Sequence, residues 1–397
     1  MTGQLDQLFV SLKQWLVSFL PQAAQPMAGI LLSISAIIGA FATMFAITTI
    51  MERKILGRIQ NRLGPNRVGP FGLLQPAADG IKMLTKEDIV PFAADKLVHF
   101  LAPVVLIIPV ALALAMIPYG RNMTAVDLDA GILFFFAVGS ATELSVFMAG
   151  WSSQNKYSLV GAMRAIAQMI SYEMPLVLST VSVLMMAGTL SLPLIVQAQS
   201  GYIYEILPRW NVFTPWGLAG FVLFMIAATA ESNRAPFDLP EAESEIIAGY
   251  LTEYSGFKYA LFFMAEYWGL FAVSGLAVTL FLGGWNAPFP FLQWVPSWAW
   301  FFAKLGTIIF GFIWVRGTLP RLRLDQLMNF AWKFLLPMSL INIVVTAMWH
   351  FSRVFQFVGA REMRWVLCAL VLAIPYFFLG RALGEGRPAK RNYKFAE

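Results

Sequence analysis

The sequence predicts an all-α polytopic membrane protein, with eight core transmembrane helices, a ninth at the C-terminal end and an interfacial amphipathic helix. Three observations carry that reading. The 397 residues are 58% hydrophobic and only 13% charged, whereas soluble domains carry about 25% charged residues. The mean hydropathy is +0.67. The apolar residues gather into runs of the length that crosses a bilayer, roughly 20 residues for about 30 Å of hydrocarbon. A soluble core so composed would leave too little polar surface to face water. Backbone groups inside hydrocarbon must satisfy one another, so the runs are helices.

Nine runs qualify: about 27–50, 97–117, 130–151, 159–188, 216–231, 259–282, 298–315, 334–350 and 365–380. The fifth and ninth are the shortest. No internal repeat stands out, and the chain reads as one membrane domain. The N-terminus has neither the basic, apolar and small-residue pattern of a signal peptide nor an Arg/Ser-rich transit pattern. Sidedness follows from Lys and Arg. Twenty of the 28 fall in the odd-numbered loops and the tail, six on the other side and two (Arg164 and Lys304) within spans. The positive-inside rule then places the N-terminus outside and the C-terminus inside. The net charge of +6 is thereby a topology signal, and nucleic acid is excluded as a partner.

The first loop, 51–96, has Gly-Pro pairs at 64–65 and 69–70 that mark turns. After them Phe71, Leu73, Leu74, Ala77, Ala78, Ile81 and Leu84 share one helical face, and Gln75, Asp79, Lys82 and Lys86 the other. That pattern is an amphipathic helix in the interface. It fits a plain surface anchor or a docking surface. Asp79 and Lys82 are spaced to pair. Glu52-Arg53-Lys54 stands where the first span ends.

Ionisable residues inside spans are costly and mark pathways or sites. Glu143, Arg164, Glu173 and Glu266 lie well inside. At 1.5 Å per residue, Glu266 is roughly 11 Å from the inner edge, Glu143 at similar depth, and Glu173 about 20 Å in. Pro175 kinks the span beside Glu173 and frees a carbonyl. One reading is a buried Arg–Glu pair that fixes packing. The other is a proton relay, whose carboxyls must take and release protons near neutral pH.

The first part of the fifth loop (231–258), residues 231–250, crowds Glu231, Asp238, Glu241, Glu243 and Glu245 around the single basic residue Arg234. Pro240 is placed to open a helix through 241–250. Hard cations take oxygen ligands, but the spacing is not that of a calcium loop. A solvated acidic loop and a proton-sharing cluster are the other readings. The lone Cys368 cannot hold an iron–sulfur cluster. His99 and His350 fall at opposite membrane faces and cannot share a haem. No metal ligand is assigned.

Two stretches, MERKILGRIQNRLGPNRVGPFGLLQPAADGIKMLTKED and AESNRAPFDLPEAESEIIAGYLTEYSG, resemble the signature loops of the H-type membrane subunits of proton-pumping NADH:quinone oxidoreductase, respiratory complex I. NADH dehydrogenase subunit 1 is the mitochondrial counterpart. NKYSLVGAMRAIAQMISYEMP and FMAEYW match as well, and the similarity covers about 27–350. The resemblance implies that both loops build the membrane end of a quinone chamber. It places Glu52, Arg53, Asp79, Arg234, Phe237 and Asp238 near quinone. It implies a glutamate chain through Glu231, Glu241, Glu243, Glu245, Glu143, Glu173 and Glu266, and a half-channel built by spans two to six. Quinone is then the substrate, and electrons come from an iron–sulfur cluster in a peripheral-arm partner. Small and antiporter-like membrane subunits are the other partners, beside membrane lipid. The chain itself would carry no redox centre.

The commonest form of the family ends after eight spans. Residues 351–397, with a ninth apolar run and a basic tail, depart from it. A hydrogenase or ferredoxin-linked anchor shares the scaffold, and a stand-alone ion transporter is an alternative of another class. The full PFDLPEAESE segment and Glu266 favour the quinone form, and the large charged loop surface reads as a docking face. A bacterial inner membrane is the expected location.

Overall fold

The computed structural model describes residues 5–203, 207–238, 248–352 and 360–384. Its long helices are α2 (Gln25–Ile59), α4 (Lys96–Met116), α5 (Gly131–Ser152), α6 (Lys156–Ala187), α8 (Pro215–Glu231), α9 (Gly256–Phe281), α10 (Ser297–Thr318), α12 (Leu336–Phe351) and α13 (Ala360–Gly384). Shorter helices are α1 (Leu8–Ser18), α3 (Gln75–Thr85), α7 (Leu192–Ala198) and α11 (Leu324–Phe330). One small antiparallel ladder pairs β1 (Tyr202–Ile203) with β2 (Leu207–Pro208). All nine expected spans are helical. The fifth, α8, has 17 residues and is shorter than the other eight apolar spans.

Local sequence sets the ends. Asp95 caps α4 by accepting from the Leu97 and Val98 amides, Asn155 caps α6 through Tyr157, and Thr214 caps α8 through Gly217. Gly188 ends α6 in the left-handed region at φ +67°. The eighth span starts earlier than expected, at α11, and passes into α12 through a π turn at Ala331–Leu335. Pro337 gives the reason: its ring crowds the carbonyl four residues back, and the wider turn relieves it.

Helix α9 is the axis. Every residue from 270 to 281 is buried, and α4, α8 and α10 pack on it. Helix α5 packs on α4 and α6 on α5, and α6 also meets α8 and α12. Spans two to six thus close a ring in which each packs on the next and the sixth returns to the second; α2 flanks them with α10, and α13 lies against α12 and α8. Helices α2 and α13 are the least buried long helices, with 6% and 11% of their apolar windows covered. Near the start of α6 a Cβ on Gly161 would sit 2.7 Å from the Gly249 Cα. Gly249 itself has φ +56°. That contact pins the turn Gly249–Leu251 against α6.

Several expectations change here. Residues 51–59 belong to the last turns of α2, so Glu52 and Arg53 stand on a helix rather than in a loop. The amphipathic segment begins with a 3-10 turn at Pro70–Gly72, and the α-helix proper starts at Gln75. Asp79 does not take Lys82: it accepts from Arg53 Nη1 at 2.7 Å and from Gln75 Nε2 at 3.0 Å, because α3 packs on α2. Helix α1 has no counterpart among the expected elements. Asp6 precedes it and accepts from the Ser297 amide at 2.7 Å and from its hydroxyl. It thereby caps α10, whose own N-cap residue, Pro296, has no side-chain acceptor. The helix expected over 241–250 falls largely outside the described residues.

Candidate functional site

The end of the bundle at which α2 and α8 finish holds a buried ionic network drawn from four elements. Glu52 comes from the end of α2 and Arg234 from the turn after α8. Glu266 and Tyr267 come from α9, and Arg316 from the last turn of α10. Glu52 and Arg234 are 4% and 5% exposed. The Arg234 Nη1 donates to Glu52 at 3.0 and 3.2 Å, and its Nε lies 3.0 Å from Glu266 Oε1. Arg316 donates to the same Glu52 Oε1, and the Tyr267 hydroxyl donates to Oε2 at 2.5 Å. The Arg234 guanidinium lies 4.1 Å above the Tyr267 ring.

Burial opposes the Arg234 charge, yet Glu266, Tyr267 and Glu52 more than offset it, and the guanidinium is held above its usual range. The group stays charged. A buried charge is tolerated when it is paired and hydrogen-bonded, and here the fork of one arginine reaches two carboxylates.

The turn that carries Arg234 is fastened from α6. Gln168 is fully buried and donates to the carbonyls of Ala230 and Phe237, each at 2.8 Å, and to Asn233 Oδ1 at 3.3 Å. Phe237 is buried against Tyr172, with ring centroids 5.4 Å apart. Asp238 accepts from Arg321 at 2.9 Å. Gln168 therefore holds both ends of the segment that presents the arginine.

Glu231 ends α8 and begins a second cluster. It interacts with Glu173 and Glu143, which also interact with each other across α6 and α5. Glu173 accepts from Ser140 at 2.5 Å. Between the two clusters lies a largely apolar cavity of about 100 Å³, with Glu266 and Glu231 both in its wall. Thr142, Ser232 and Asn233 add polar groups to the lining. That volume has room for a few water molecules.

Of the residues singled out from the sequence, Glu52, Arg234 and Glu266 converge in one network, and Glu143, Glu173 and Glu231 in a neighbouring one. Arg53 and Asp79 pair with each other at the surface, 48% and 36% exposed, away from the buried arginine. Phe237 and Asp238 sit behind the turn. Glu241, Glu243 and Glu245 lie outside the described residues. Sequence reasoning missed Tyr267, Arg316 and Gln168. Tyr267 stands beside Glu266 in FMAEYW, Arg316 counts only among the charges that set sidedness, and Gln168 is a polar residue in an apolar span with nothing local to say what it holds.

Among the described residues no group of three or more His, Cys, Asp or Glu side chains is placed to hold a metal. The face above the network is rich in exposed apolar side chains. Leu63, Phe71, Ile81 and Leu84 are each more than 60% exposed, and Phe92 is fully so.

Comparison with known proteins follows the same residues. A family described as NADH dehydrogenase matches residues 32–347. A protein of Dehalococcoides mccartyi strain CBDB1, named as the H-type subunit of NADH-quinone oxidoreductase, is 54% identical over 297 residues, covering 75% of this chain and 80% of its own length. A protein of the same name from Geobacillus kaustophilus is 48% identical over 320 residues, covering 80% and 92%. One from Koribacter versatilis, named as a second such subunit, is 45% identical over 342 residues, covering 80% and 96%.

Proposed function

This chain belongs to the NADH dehydrogenase family as a multi-pass membrane subunit of NADH-quinone oxidoreductase, and from that premise we propose that it forms the membrane wall of a quinone chamber and passes the charge change of quinone reduction into the bilayer. The observation that carries the proposal is the buried network of Glu52, Arg234, Glu266, Tyr267 and Arg316, joined by a cavity to Glu231.

Reduction of a quinone to a quinol takes two electrons and two protons. The electrons come from an iron–sulfur partner docked on the α3 face, whose exposed apolar side chains suit a protein interface. Charge that appears beside Arg234 acts in a low-dielectric setting, where it is felt far more strongly than in water. Arg234 is shared between Glu52 and Glu266, so a shift of the arginine toward one carboxylate leaves the other short of a counter-charge. Glu266 then exchanges a proton through the cavity with Glu231, and Glu231 with Glu143 and Glu173. These carboxyls titrate as a group rather than singly. Ser140 is exposed beside Glu173, and that face suits the antiporter-like membrane partners. Glu241, Glu243 and Glu245 extend the acidic set from the loop side. The end of the bundle that holds the network faces the cytoplasm of a bacterial inner membrane, with the N-terminus outside.

The test is Glu266→Gln in native membranes, with NADH:quinone electron transfer and proton uptake recorded together after assembly is checked on a native gel. The expected result is an assembled complex in which both activities fall together, by roughly tenfold or more for each ~1.4 kcal/mol of lost coupling. Normal electron transfer with normal pumping would reduce Glu266 to a packing residue and remove the mechanism.

A further inference from the structure

At the end of the bundle opposite the ionic network, α13 closes over α8 and α12 and leaves a cavity of about 870 Å³. Two arginines, Arg209 and Arg364, line it together with Trp210, Trp349 and Trp365. Among the described residues no acidic side chain lines it. The aromatic wall is packed. Trp349 and Trp365 meet edge to face at 5.5 Å, and Trp210 stacks on Phe213 at 5.9 Å. The Arg364 guanidinium lies 4.1 Å over the Trp349 ring, and Lys304 lies 4.0 Å over Trp210. The wall is therefore cationic as well as aromatic.

Its position gives the ligand class. The cavity sits where α8 begins and α12 ends, at the boundary between hydrocarbon and water. Tryptophan gathers at that level because its ring is apolar and its N–H is not. Arginine at that level takes phosphate through paired donors, and basic residues beside apolar helices recruit anionic lipid. Below the cavity, α13 turns Val366, Leu370 and Phe377 outward, each more than half exposed. They form an apolar track from the cavity into the hydrocarbon.

We propose that this cavity binds the phosphate of an anionic phospholipid, with its acyl chains along α13. Arg209 and Arg364 donate to the phosphate oxygens, and the tryptophans enclose the glycerol region. The lipid then fastens α13 to the bundle. The family match stops at residue 347, so the site is built jointly by the matched core and a helix beyond it.

The experiment uses the assembled complex in nanodiscs that carry a photoactivatable phosphatidylglycerol or phosphatidylcholine, with cross-linked peptides mapped after irradiation. Phosphatidylglycerol should label the α13 peptide in clear preference to phosphatidylcholine. Arg209→Gln alone should lower that label about fivefold, and the double variant with Arg364→Gln roughly 25-fold, at about 1 kcal/mol per arginine. Labelling of α2 should not change. Arg209 is exposed, so its single variant carries the test if the double variant fails to assemble. Equal labelling by both lipids, unchanged labelling in the variants, or no label on α13 would each overturn the proposal. So would loss of the phosphatidylglycerol preference in millimolar inorganic phosphate while the lipid label persists, which would assign the cavity to free phosphate.

Discussion

Two buried basic side chains near opposite ends of the bundle have much in common and differ in one respect. Arg234 lies over the Tyr267 ring at 4.1 Å, and Lys304 over the Trp210 ring at 4.0 Å. Both are under 10% exposed. Arg234 faces two carboxylates, Glu52 and Glu266. Lys304 faces carbonyls: its Nζ donates to Leu282, Gly284 and Asn286 at 2.7, 2.8 and 2.7 Å. Those carbonyls follow the end of α9, where the helix dipole favours a cation. The partners of Lys304 are fixed dipoles with no protonation state to change. The partners of Arg234 are acids, so the charge around it responds to chemistry. Burial of a cation alone therefore does not mark a relay; what it is paired with does.

The largest effect expected from breaking this contrast is at Arg234. Arg234→Ala leaves Glu52 and Glu266 buried with fewer counter-charges, and loss of one partner from such a pair costs about 3–5 kcal/mol. The assembled complex on a native gel should fall sharply, and whatever assembles should lack quinone reductase activity. Normal assembly and turnover would show that Arg316 suffices for both acids. Next comes Lys304→Met, which keeps the side-chain length and removes three hydrogen bonds from a charged donor. A cost of about 2–3 kcal/mol is expected, read as a lower melting temperature of the complex with unchanged turnover per assembled complex. Loss of turnover at unchanged stability would put Lys304 in the functional class and end the contrast. The smallest effect is at Arg53, whose pair with Asp79 is about half exposed. Such pairs contribute about 0–1 kcal/mol, so Arg53→Ala should leave the melting temperature within error. A large shift would mean that α3 is held to α2 mainly by this contact.

Much of the architecture was legible because membrane spans are written locally. Each span needs only enough consecutive apolar residues, and all nine runs are helical in the structure. The matched loops pointed to the family, which the relatives bear out. The membrane carboxyls could be found because a charge inside an apolar run is conspicuous. Tyr267 and Arg316 could not be found in that way. A tyrosine in a span and an arginine at a span end are ordinary, and nothing local says that both reach Glu52.

The sequence by itself determined where the apolar helices run and the kinds of charged group placed among them, since length and hydropathy add along the chain. Only the tertiary structure decided which group meets which. Glu52 meets Arg234 from 182 residues away and Arg316 from 264. Asp79 takes Arg53 in place of its own helix neighbour, and Asp6 caps a helix 291 residues further on. Partners across helices are set by how far each helix is rotated and where it crosses its neighbour. Those angles come from side-chain packing around α9, which no single stretch of sequence contains.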